Sequence, residues 1–223
     1  MGALALSHVF VVGLSVYFLG LDLMLVSYAG RTTDIKLIMA LGISPNGLDG
    51  YGTPLGLAIS NGQLPAVKLL IENGARKDSY NPSVRSIPFV SGPLRLRSTP
   101  LIVAAISKQD AIAAYLLSKG ASPNGRWPQL GITAAGIAAS HGDTQLLSLL
   151  IAYGADMNIG SRSGLTPLML AAEHSDVSTV RLLLNHGANV LAVTNHGHTA
   201  LWYALRSNRH DIAAVLRQAG ERV

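Results

Sequence analysis

A chain of 223 residues has room for one ordinary domain or two small ones and can bury a substantial core without covalent staples. Apolar residues make up 49% and charged residues 13%, which excludes a disordered chain; the absence of cysteine excludes disulfides, thiolate metal sites and a cysteine nucleophile. The net charge of +5 is local: of 17 bases and 12 acids, Arg76, Lys77, Arg85, Arg95 and Arg97 lie with Asp78 alone in one short stretch, so the excess marks a local basic feature, and no nucleic-acid-binding face is expected.

Residues 1–29 form a hydrophobic N-terminal segment. No charge occurs from Ala3 to Gly20, and apolar character continues past Asp22 to Ala29. Eighteen helical residues rise ~27 Å, enough for a thin or locally adjusted bilayer. The segment is read as a membrane anchor, with a cleaved secretory signal and a buried cap on the repeats as alternatives. A signal peptide should begin with positive charge, which Met1 to Gly20 lack beyond the terminal amine, although Ser27-Tyr28-Ala29 fits a small-x-small cleavage site. Arg31 and Lys36 follow the segment and favour a cytoplasmic side for what comes after; the alternative of a cleaved signal would place the protein in the periplasm. Asp22 is taken to mark the end of the span or to cap the next helix, and His8 to be incidental.

From residue 50 to 223 the chain repeats. Thr53-Pro54-Leu55, Thr99-Pro100-Leu101, Thr133-Ala134-Ala135, Thr166-Pro167-Leu168 and Thr199-Ala200-Leu201 open five repeats, each with a small residue (Ala58, Ala104, Ala138, Ala171, Ala204) and then a glycine (Gly74, Gly120, Gly154, Gly187, Gly220) at fixed distances from its threonine. Proline in the first helical turn lacks an N–H that would have had no partner, and threonine can cap. The second helix of each repeat is strongly apolar, as in Val180, Leu182, Leu183 and Leu184, and glycine can stop it in a left-handed conformation. One period back, Gly42, Ile35, Leu37 and Ile38 match Gly74, Val67, Leu69 and Leu70, so residues 30–49 read as the second half of a first repeat, with a helix over residues 34–41 and a degenerate first helix over 21–28. Arg217 replaces the apolar residue of the other second helices, as a terminal repeat requires. The interval from Thr53 to Thr99 is longer than the period, which places an inserted loop at about 79–97, with Pro82, Pro88 and Pro93 opposing helix.

These residues resemble the ankyrin repeat, most closely from Leu165 to Ala188. The resemblance implies an all-α solenoid of stacked helix-turn-helix repeats joined by β-turn loops, preceded here by the hydrophobic N-terminal helix. Departures from the family pattern are Gly56, Ile102, Gly136, Met169 and Trp202 where it often has His, and Thr133-Ala134-Ala135. An arginine-rich, lysine-poor composition is compatible with a GC-rich bacterial source.

No phosphate-binding glycine loop or nucleophile elbow occurs in a strand-to-helix context. His141, His174, His196 and His198 are the most enzyme-like set, yet no carboxylate joins them at ligand spacing, so turn and groove positions explain them better than a metal. No catalytic residue, cofactor, metal or small-molecule substrate is assigned. The resemblance implies a non-enzymatic scaffold that binds another protein, with turn tips and first helices forming the groove. The candidate contact residues are Tyr51, Arg126, Trp127, His141, Arg162, His174, His196, Trp202 and Arg206, with Arg85, Arg95 and Arg97 of the inserted loop, which would face an acidic partner or an anionic membrane. The alternatives are an exported periplasmic protein that neutralises a toxin or protects an enzyme, and a metal-dependent enzyme using the histidines.

Overall fold

The computed structural model describes residues 22–46, 53–78 and 98–220, and among these the fold is all-helical. The chain divides between Ile112 and Ala113 into two compact units. In the first are α1 (residues 22–28), α2 (Thr32–Ala40), α3 (Pro54–Ser60), α4 (Leu64–Glu72) and α5 (Pro100–Ile106); the division falls within α6 (Asp110–Ser118). In the second are α7 (Ala134–His141), α8 (Thr144–Ala152), α9 (Pro167–His174), α10 (Val177–Asn185), α11 (Ala200–Arg206) and α12 (His210–Gly220).

Each threonine marker is an N-cap in extended backbone. The hydroxyls of Thr53, Thr99, Thr133, Thr166 and Thr199 accept from the backbone N–H three residues on, at 3.0, 3.4, 3.3, 3.4 and 3.3 Å. One otherwise unpaired helix-start donor is thereby satisfied in every repeat, whether proline or alanine follows the cap. The second helices end where the glycine markers predict: Gly74, Gly120, Gly154 and Gly187 all have positive φ. Gly220 departs from this pattern, because it lies within α12.

Within the first unit, α1 contributes Leu23, Met24 and Ser27 to the interior, and the Ser27 hydroxyl donates to the Leu23 carbonyl at 2.6 Å, so its polar group is internally paired. Residues 22–28 are thus part of the folded core. Ile35 and Ile38 of α2 are buried, and α2 packs on α4 while α3 packs on both α4 and α5. The helix expected over 34–41 runs from Thr32 to Ala40. Asn61 at the end of α3 reaches back, donating to the Tyr28 carbonyl at 2.7 Å.

In the second unit, α7, α9 and α11 pack side by side as one row, and α8, α10 and α12 as another. Alanine at 138, 171 and 204 is fully buried where first helices meet, and the small side chain allows close approach. Leu147, Leu150, Val180, Leu183, Ile212 and Leu216 carry the apolar face of the second row. Arg217 is exposed on α12, while its counterpart Leu184 is half-buried.

Candidate functional site

Three turns precede the first helices of the second unit and are joined by main-chain hydrogen bonds. The first is pinched by a bridge between Arg126 and Thr133, with the Trp127 N–H donating to the Ile132 carbonyl at 2.8 Å. The second closes through the Ser161 N–H to Leu165 carbonyl bond at 2.8 Å, and the third through Thr194 N–H to His198 carbonyl at 2.9 Å. Arg162 N–H donates to the Leu130 carbonyl at 2.9 Å, and Asn195 N–H to the Ser163 carbonyl at 3.0 Å, so each turn is fixed to the one before. The Asn195 side-chain amide adds a bond to the Arg162 carbonyl at 3.0 Å. Loops held this way keep their side chains on a rigid frame, which suits them to recognition.

At the last turn the side chains form an aromatic group. The imidazole of His198 stacks on the indole of Trp202 at 3.7 Å and nearly parallel, Tyr203 meets that indole edge-on at 4.9 Å, and the guanidinium of Arg206 lies 5.2 Å from its centroid. His196 is a further ring at 6.2 Å from His198. The spacing follows from the helix: Trp202 and Arg206 are four apart on α11 and share a face. Trp202 keeps 36% of its surface exposed, so a large aromatic is held in place yet accessible.

The other candidate contact residues are distributed more widely. Arg126 and Arg162 are exposed on their turns; Trp127 is half-buried, and its buried indole N–H has no hydrogen-bond partner among the described residues. His141 and His174 are exposed at the ends of α7 and α9, with His174 Nε2 3.4 Å from Glu173. They lie at the opposite end of the first helices from the turns. Tyr51, Arg85, Arg95 and Arg97 fall outside the described residues, as does the inserted loop. Among the described residues no cluster of three His, Asp or Glu side chains is arranged to hold a metal ion.

Two features were missed when the sequence was read. His198 and Tyr203 belong with Trp202, and the signal available was their positions one before and four after the cap Thr199. The second is an asparagine bridge: Asn46, Asn124 and Asn158 each stand four residues after a marker glycine. Each side-chain amide donates to the carbonyl of the next marker glycine (Gly74, Gly154, Gly187) and each accepts from the N–H two residues beyond it, at 2.8, 2.9 and 2.7 Å.

A family model described as "Ankyrin repeats (3 copies)" matches residues 23–126 and 135–223. The chain belongs to the ankyrin repeat family. It is 28% identical over 142 residues to an ankyrin repeat and KH domain-containing protein of Caenorhabditis briggsae, a match covering 62% of this chain and 5% of that protein. Ankyrin repeats point to a protein–protein interaction scaffold and are generally non-enzymatic. No helix among the described residues is long and apolar enough to cross a membrane, and residues 1–21 lie outside them.

Proposed function

We propose that the protein is a non-enzymatic scaffold that binds another protein through the turn row and first helices of its second unit, and that residues preceding Asp22 tether it to a membrane with the repeats on the cytoplasmic side. The observation that carries the binding reading is Trp202, exposed yet fixed between His198, Tyr203 and Arg206, because tryptophan and arginine dominate interface energetics when preorganised. The tether rests on the uncharged run from Ala3 to Gly20 and on Arg31 and Lys36 beyond it. Burial of Leu23, Met24 and Ser27 favours a retained segment over the exported alternative, since cleavage after Ala29 would strip those side chains from the core. Arg85, Arg95 and Arg97 are retained as a second contact region facing an acidic partner or an anionic membrane surface.

The test uses full-length protein cross-linked in its own cells. A partner recovered with the wild type and lost with Trp202→Ala combined with Arg206→Glu supports the reading. Equal recovery with both moves the binding face away from α11.

A further inference from the structure

The turns of the second unit are set apart from the rest of its surface by charge. Residues 125–133, 160–166 and 192–199 contain Arg126, Arg162, His196 and His198 and no carboxylate. Most described acids of this unit are engaged elsewhere; Glu173, on α9 at the end away from the turns, lies 3.4 Å from His174 Nε2. Asp143 caps α8 by accepting from Leu146 N–H at 2.9 Å, Asp176 caps α10, Asp211 lies in the first turn of α12, and Asp156 accepts from Asn158 N–H. Helix N-termini favour carboxylates through their unpaired N–H groups and the macrodipole, so Asp143, Asp176 and Asp211 sit at the starts of the second helices and the turns are left cationic.

The main chain supplies an independent observation. Each turn donates one N–H to the turn before it, from Arg162 to Leu130 and from Asn195 to Ser163. One period after Leu130 and Ser163 comes His196, whose carbonyl accepts no hydrogen bond among the described residues. An acceptor of the same kind as the two already used is therefore open at the end of the row, two residues before the His198 that stacks on Trp202.

Resting on the scaffold reading, we infer that the turn row binds an extended acidic segment of a partner protein. Its carboxylates pair with Arg126, Arg162 and Arg206, a main-chain N–H meets the His196 carbonyl, and an apolar side chain lies against Trp202. Neighbouring helices stand about 8–10 Å apart, so a segment crossing three turns needs roughly six to eight extended residues. Arginine suits the role because its guanidinium takes a carboxylate through two parallel N–H bonds.

The test titrates the full chain into a fluorescein-labelled peptide of alternating Glu and Gly with one central Phe, and into its Gln counterpart, reading anisotropy. The Glu peptide should bind at least about tenfold more tightly than the Gln peptide, and the difference should narrow with added salt. Arg126→Glu, Arg162→Glu and Arg206→Glu together should cost about tenfold or more, whereas Arg181→Glu with Arg217→Glu, on α10 and α12, should change affinity less than about twofold. All these arginines are exposed, so the melting curve should be retained. Trp202→Ala should weaken binding at unchanged helicity. Equal losses from both arginine sets, or equal binding of the two peptides, would overturn the inference. So would tighter binding of an oligothymidylate of matched charge, which makes the row a nucleic-acid surface, or sedimentation showing it covered by a second copy. If the Glu peptide fails while the triple variant still loses the cellular partner, the acidic chemistry is wrong and the scaffold reading stands.

Discussion

Asp176 shows how much one side chain can do at a helix start. Its carboxylate accepts from Thr179 N–H, from the Thr179 hydroxyl and from the Ser178 hydroxyl, each at 2.8 Å. These bonds, the backbone one foremost, hold its pKa below the usual carboxylate range. Asp176→Ala should cost ~1 kcal/mol at neutral pH by chemical denaturation. Because the folded carboxyl is the stronger acid, its contribution is complete above the unfolded pKa near 3.8 and disappears as pH falls through the lower folded value. The gap between wild type and variant should therefore close in strong acid. Lys108 and Asn208 behave differently: both adopt positive φ between paired helices, at the position where Gly62 and Gly142 stand in other repeats. Lysine is strained there, and Lys108→Gly should raise stability by about 0.5 kcal/mol even after the entropy glycine costs. Asparagine at 208 favours a left-handed turn, but nothing in lysine at 108 announces one; only alignment of the repeats on their threonines exposes the shared position. The threonine caps and terminal glycines were legible because their chemistry is specific to their conformations.

At the scale of the helix, the apolar runs identified the second helices correctly, since burial on one face leaves a pattern in sequence. Leu183 is completely buried where α10 packs between its neighbours. Leu183→Ala should lower stability by ~2–5 kcal/mol in a urea titration, through lost burial and the cavity left behind. A cost below ~0.5 kcal/mol would remove it from the core. Helix boundaries were less legible: α2 starts two residues early, and Gly220 is itself helical rather than left-handed like its counterparts. The aromatic group at α11 was hidden for another reason. Trp202 and Arg206 stood out by residue type, whereas the stack with His198 depends on how the preceding turn folds back onto the helix.

For the molecule as a whole, the proposed tether runs directly into residues 22–28, which belong to the folded core. Removing residues 1–21 should release the protein from membranes after high-salt washing while leaving the melting temperature of the repeats unchanged. Extending the deletion through Gly30 should lower it, because Leu23 and Met24 leave the first unit's core. Full-length protein found wholly in the soluble fraction would refute the tether. The sequence alone treated residues up to Ala29 as continuous with the apolar run; periodicity could not decide between lipid and protein as the medium that buries them, since both reward the same side chains.

Where Asn124 and Asn158 tie one loop to the next, the corresponding residue after α10 is Leu191, 55% exposed and unable to bridge. An open cleft of about 330 Å³ lies there, lined by Val190, Leu191, Leu201 and Leu216. The α11–α12 pair therefore lacks the asparagine bridge made by Asn124 and Asn158, and α12 should be the least protected of the second-row helices. Amide deuterium uptake should be fastest along α12 and slower in α10 and α8, in that order.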